Sequence, residues 1–260
     1  MKINFIGLSC FIIENSKGFR ILIDPFNGAP EWSLGPSFPK KFKGRPLGAN
    51  IVLMSEPDAD HAYAPGGWLQ AAPPTKPGEK AFPDLNLKGT VVYEWNGELN
   101  IAWHYTVDGL RLLHLADNAH FLSPEQLREM RKPDILFISA PKAESNSGLK
   151  MTRKNIKSLA PKIIIWAHHL APKGMPDLKN KDKLRNFFRA YFKKNAFTSK
   201  GYKGPESFMS LCSILENAYT LNAEYNGLNT KDTTLEINAR QVRQQRKMKA
   251  ILFTSMIAKP

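Results

Sequence analysis

The chain has 260 residues, 42% of them hydrophobic and 23% charged, a balance typical of a globular protein and long enough to bury a substantial core. No apolar run approaches the roughly 18 residues that a membrane helix needs, and Cys10 and Cys212, far apart among apolar neighbours, argue against a disulfide framework. The net charge of +14 is uneven: residues 1–149 carry 15 basic and 16 acidic side chains, residues 150–260 carry 22 and 7. That basic surplus reads either as steering for an anionic substrate or nucleic acid, or as a solvated lysine-rich surface.

Met1 to Ile13 holds one charge and no small-x-small cleavage site before Glu14, so it reads as structure and not as a signal peptide. Cytoplasm is the expected compartment, without membrane association. Residues 2–6 and 10–14, then Phe19-Arg-Ile-Leu-Ile-Asp24 after a Gly turn, have the pattern of hairpin strands. Asp24 ends its strand before Pro25, either as a turn cap or as a group with a buried partner. Residues 27–50 form a long aperiodic loop whose Trp32, Phe38 and Phe42 either line a pocket or pin the loop.

Ile51-Val-Leu-Met54 is a short apolar strand that breaks into a turn holding Glu56, Asp58, Asp60 and His61. Four potential metal ligands within six residues, at the exit of a buried strand, sit where a rigid sheet can fix a loop open to substrate. A calcium loop is excluded, since no Gly stands six places into the run and no Glu closes it. After a second Pro/Lys-rich loop at 71–83, the strands 89–95 and 99–105 flank the hairpin turn Asn96-Gly97. Leu110 to Asp117 is a strand ending on an acid, and Ser123-Pro-Glu-Gln opens a short helix. Residues 134–139 and 162–168 are buried strands joined by a helix near 152–159; amphipathic or apolar helices follow at 179–195 and about 205–222. From Gln241 a basic cluster precedes Ile251-Leu-Phe; this stretch reads as a tail after a single domain spanning 1–240, and as a segment that need not be ordered.

His104, Asp117, His168 and His169 stand near the ends of apolar strands. Each alone is an ordinary hydrogen-bonded residue; with Asp60 and His61 they form a set suited to a divalent metal.

The spacing Glu56-x-Asp58-x-Asp60-His61 resembles the His-x-His-x-Asp-His motif of the metallo-β-lactamase superfamily, with carboxylates in place of the first two histidines. Gly7-Leu-Ser-Cys-Phe-Ile-Ile-Glu14 with Arg20-Ile-Leu-Ile-Asp-Pro25 resembles the opening of the branch that includes ascorbate-phosphate lactonases, with Leu8 where that branch has His. Ala102-Trp-His104, His114-Leu-Ala-Asp117 (Ala116 for Gly) and Ile163-Ile-Ile-Trp-Ala-His168 resemble its later motifs. The resemblance covers residues 2–170 and implies an α+β fold, the four-layer αββα sandwich, with metal at one edge between the sheets. It implies one position of Asp60, His61 and His168 with Asp117 bridging, and another of Glu56, Asp58 and His104. One or two divalent ions are expected, Zn or Mn first and Fe next; an oxygen-rich site favours harder ions. Asp60 would both hold metal and orient the attacking hydroxide, and Asp24 would fix a ligand from behind.

Three functions follow, in this order. The first is a metal-dependent hydrolase of a lactone or phosphoester, with a small anionic substrate. The second is a degenerate member acting as a binding protein. The third is a nuclease-like phosphodiesterase that engages nucleic acid through the basic C-terminal part.

Overall fold

A computed structural model describes residues 1–26, 39, 41–42, 45–46, 48–58, 60–62, 78–80, 85–94, 96–130, 132–142, 146–195 and 209–257. The chain opens with β1 (Lys2–Gly7), β2 (Cys10–Glu14) and β3 (Arg20–Ile23), a meander of β-branched and aromatic residues. A two-stranded ribbon, β4 (Lys41–Phe42) with β5 (Arg45–Pro46), precedes β6 (Ile51–Leu53), which pairs parallel to β3. Then come β7 (Gly78–Lys80), β8 (Leu87–Tyr93), β9 (Leu99–Val107) and β10 (Leu110–His114), all antiparallel neighbours. Helix α1 (Pro124–Met130), β11 (Ile135–Ser139), α2 (Asn146–Leu159) and β12 (Ile163–Ala167) continue as crossovers, with β10, β11 and β12 parallel. Helices α3 (Lys181–Asn195) and α4 (Met209–Glu224) precede β13 (Leu228–Thr230), β14 (Thr234–Glu236), α5 (Ala239–Gln244) and β15 (Lys249–Phe253).

Among the described residues two large sheets lie beside the β4–β5 ribbon, five strands in the order β14-β1-β2-β3-β6 and eight in the order β13-β15-β12-β11-β10-β9-β8-β7. They face each other across one apolar layer. Phe5, Phe11, Ile13, Ile21 and Ile23 of the smaller sheet meet Trp103, Leu112, Phe137, Ile165 and Phe253 of the larger. The ring centroids of Phe11 and Phe137 stand 4.9 Å apart across this layer. The alternate residues of the larger sheet, among them Leu113, Leu136, Ile164, Trp166 and Leu252, pack against Ile156 of α2, Phe188 of α3 and Leu215 of α4. Period-two alternation of two apolar sets explains why its central strands read as unbroken hydrophobic runs. The molecule is the expected α+β sandwich.

The stretch from Gln241 is not the loose tail that its charge suggests. It forms the end of α5 and then β15, which pairs parallel to β12 through Ile163↔Lys249, Ile164↔Ala250 and Ile165↔Ile251. Ala250, Leu252 and Phe253 are fully buried. Apolar burial on both faces of a parallel strand outweighs the cost of ordering the basic residues before it. Residues 258–260, most of the loop at 27–50 with Trp32 and Phe38, and most of 71–83 lie outside the described residues; Phe42 falls in β4.

Strand direction positions the site. β3 is parallel to β6, and β8 runs the same way as β10, β11 and β12, since β9 is antiparallel to both β8 and β10. The chain therefore leaves β3, β6, β8, β10, β11 and β12 at one edge, where the polar residues that follow these strands converge.

Candidate metal centre

Asp24, just past β3, is fully buried and has φ of 43°. Its Oδ1 accepts from the Ser55 amide at 2.7 Å, and its Oδ2 from Ser55 Oγ at 2.8 Å. Oδ2 also lies 2.9 Å from His61 Nδ1 and 2.7 Å from His114 Nε2. Burial pushes this carboxyl up, but the His114 and His61 rings and their hydrogen bonds outweigh it and hold it well below the usual range. Asp24 is therefore a carboxylate, an acceptor only, and both imidazoles donate to it.

That fixes His61. With Nδ1–H turned to Asp24, its Nε2 faces Glu56 Oε1 at 2.8 Å and Asp60 Oδ2 at 3.8 Å. Nε2 is fully buried, within ion-pair distance of Glu56. Two lone pairs at that distance are tolerated only with a proton or a metal ion between them. Burial pushes the ring's pKa down, and the carboxylates of Glu56, Asp24 and Asp60 override it and raise it well above the ordinary value.

His168, just past β12 with φ of 58°, faces carboxylates with both nitrogens. Nδ1 is in contact with Asp117, and Nε2 is 3.5 Å from Asp60 Oδ2. Burial lowers its pKa, and Asp117 and Asp60 bring it up to about 9. Asp117 is braced by Ser139 Oγ at 2.7 Å and by Lys142 Nζ at 3.2 Å, so the end of β11 also contributes. Three overlapping groups of ligand atoms result, each within 4.8 Å: Asp60, His61 and His168; Glu56, His61 and Asp117; and Glu56, Asp58 and Glu94. Shared members make them one contiguous cluster.

Six of the seven residues expected from the sequence thus come together: Glu56, Asp58, Asp60, His61, Asp117 and His168. His104 does not. It lies on β9, which runs against the other strands, and its side chain is on the face covered by α1. There Nε2 is 3.2 Å from Thr90 Oγ1, which donates to Glu129 of α1 at 2.8 Å. The residue that does join is Glu94, immediately after β8. Burial, then hydrogen bonding and repulsion from Glu56, push its carboxyl up to about 7. Burial with Asp60, Glu94 and Glu98 nearby raises Asp58 as well. His120 Nε2 lies 2.8 Å from the Glu94 carbonyl and so ties down that turn. His169 is a packing residue: it stacks on Phe5 at 4.8 Å, bonds the Phe253 carbonyl at 2.8 Å, and burial takes its pKa down to about 4.

The donor set fits a divalent cation: buried imidazole nitrogens and carboxylates converge, and a carboxylate stands behind a candidate ligand histidine.

A family model described as a β-lactamase superfamily domain matches residues 2–168, and the chain belongs to that superfamily. Its fold is also that of a candidate Zn-dependent hydrolase of the metallo-β-lactamase superfamily from Thermotoga maritima, with a TM-score of 0.59, 18% identity and 97% of each chain covered. CmlA, a diiron β-hydroxylase from Streptomyces venezuelae, is similar over 97% of this chain and 53% of its own, with a TM-score of 0.53 and 11% identity. No curated protein matches the chain significantly.

Proposed function

We propose that the protein is a metal-dependent hydrolase acting on a lactone or phosphoester with a small anionic substrate, in the lactonase-like branch of its superfamily. The observation that carries this is the convergence of Asp60, His61 and His168, and of His61 with Glu56 and Asp117, with the ligand atoms of each group within 4.8 Å of one another and His61 held towards Glu56 by the Asp24 carboxylate. Asp60, His61, His168 and Asp117 would hold one ion, and Glu56 and Asp58 would help to hold a second. A bound divalent cation supplies Lewis acidity and a nucleophilic water at neutral pH.

The chain's own residues supply the rest. Asp60, kept ionised by His61 and His168 against its burial, orients the attacking water and accepts its proton. Asp24 holds His61 in one tautomer and orientation. Lys142 is a cation beside the cluster and attracts the substrate's anionic group once Asp117 has a metal partner. The buried free thiols of Cys10 and Cys212 suit a reducing, cytoplasmic compartment.

Lys142 also favours a second reading. An ammonium already paired with Asp117 offsets part of the cluster's negative charge, as in a member that has lost its metal and only binds ligands. One experiment separates the two. The purified chain, stripped and then supplied with Zn2+ or Mn2+, is assayed on panels of aryl phosphomonoesters, phosphodiesters and lactones beside Asp60→Asn. Turnover that needs added metal and disappears in the variant supports the hydrolase. Metal-independent ligand binding without turnover supports the second reading.

A further inference from the structure

We propose that the sheet edge opposite the candidate metal centre is a docking surface for the phosphate backbone of a nucleic acid, built by the basic segment from Arg240 to Lys249. It lies outside the hydrolase reading. Lys249 stands opposite Ile163 at the start of β12, whereas His168 follows the end of that strand. Five residues of extended chain put roughly 16 Å between them.

Arg240, Arg243, Arg246, Lys247 and Lys249 place five cations in this segment, and no acid interrupts them. Like charges this close repel, and such a run is ordinarily a solvated tail. Here it is held in one shape from beneath. Asn238 caps α5 by accepting from the Arg240 and Gln241 amides, and Val242 is buried. Gln245 Nε2 donates to the Lys162 carbonyl at 2.7 Å and to the Lys247 carbonyl at 2.8 Å, and the Lys249 amide donates to the Lys162 carbonyl at 3.0 Å. Lys162 Nζ donates to the Arg243 carbonyl at 3.0 Å, and Arg243 Nη2 to the Gly109 carbonyl at 2.9 Å. The segment is thereby tied to the starts of β10 and β12. Asp134, an acid at the same edge, is already shared by Arg111 and Lys162. Arg240, Arg246, Lys247 and Lys249 are exposed, and none has a carboxylate partner among the described residues.

An ordered array of unpaired cations suits a polyanion with closely spaced charges, and because the backbone is already fixed, binding pays little to order it. Three of the five are arginines, whose planar fork matches phosphate oxygens. Gln241 and Gln244, exposed between them, offer amides to phosphate or sugar. An anionic bilayer is the poorer match. No Trp, Phe or Leu stands between Ala239 and Lys249, and the apolar Val242 of α5 is turned into the core, so nothing is left to enter a membrane interface.

The test titrates the full-length protein into short labelled DNA and RNA duplexes and follows fluorescence anisotropy over about 50–200 mM salt. The expected result is binding that weakens steeply with salt, with a log–log slope on DNA of about −3 to −4, since four exposed cations each contribute about −0.9. The triple variant Arg246→Ala, Lys247→Ala, Lys249→Ala should bind tenfold or more weakly at low salt, with a slope near −1. The triple variant Lys183→Ala, Lys193→Ala, Lys194→Ala on α3 lowers the net charge equally and should bind as the unaltered protein does. No binding to either duplex at low salt, equal losses in the two triple variants, or binding to phosphatidylserine vesicles alone would overturn the inference. Melting temperatures confirm that both variants are folded. Neither variant touches the candidate metal ligands, so metal content read alongside keeps a failure here distinct from a failure of the hydrolase reading.

Discussion

His61 presents Nδ1 to Asp24 at 2.9 Å and, by doing so, turns Nε2 onto Glu56 at 2.8 Å. One carboxylate behind the ring decides what the other nitrogen can do. Asp24→Asn removes the negative acceptor and allows the other tautomer, so metal affinity should fall about 10- to 100-fold. Titration calorimetry with Zn2+ measures it, and an unchanged affinity would separate Asp24 from the site.

The stripped protein should lose stability as pH rises from 6.5 to 9; below 6.5 the buried neutral His169, with its pKa lowered to about 4, opposes the trend. His168 has a folded pKa raised to about 9, so its contribution is fully present below the unfolded value of 6.5 and is lost as pH climbs through 9. Glu94, raised to about 7 from 4.5, acts in the same direction: the folded state holds the proton more tightly, and that advantage disappears as pH rises through 7. Metal requires the deprotonated ligands, so stabilisation by Zn2+ or Mn2+ should grow over the same range. Melting curves of stripped and loaded protein at several pH values test both slopes; a melting temperature of the stripped form that rises from pH 6.5 to 9 would contradict them.

His104→Gln should leave metal content unchanged and cost about 0.5–1.5 kcal/mol through its hydrogen bond to Thr90. The sequence made His104 attractive because imidazole is the commonest ligand and a motif stood beside it. What a single strand cannot show is its direction in the sheet and which face its side chain takes. Those depend on pairing with β8 and β10, residues distant in the chain. Glu94 had a legible signal, an acid at the exit of an apolar strand, the same feature that marked Asp24 and Asp117. The strong Asn96-Gly97 turn just beyond it drew that stretch into a hairpin instead.

Ala116→Gly should stabilise the fold by about 0.5–1 kcal/mol, read as a rise in melting temperature. Ala116 adopts φ of 54°, where a Cβ is strained and Gly is not. Leu8, Asp24 and His168 share positive φ near the same sheet edge, so strained backbone collects beside the candidate centre. No change in metal content is expected from this substitution.

Leu252→Ala should cost about 2–5 kcal/mol, the price of a cavity in the core, measured by chemical denaturation. A negligible effect would mean that β15 is not part of that core. The apolar run Ile251-Leu-Phe was visible in the sequence, as were the two sheets' central strands, which local pattern determines. Its place beside β12 was not, because a parallel partner some 86 positions earlier leaves no local mark.

The claim that everything else depends on is that the edge between the sheets binds metal through Asp60, His61 and His168. Elemental analysis of the purified protein, after stripping and reloading with Zn2+, beside Asp60→Asn and His168→Ala shown to be folded by circular dichroism, tests it most directly. One to two equivalents of metal in the unaltered protein, reduced in both variants, is the predicted result. Metal-free protein after reloading, or equal metal in all three, would contradict the account.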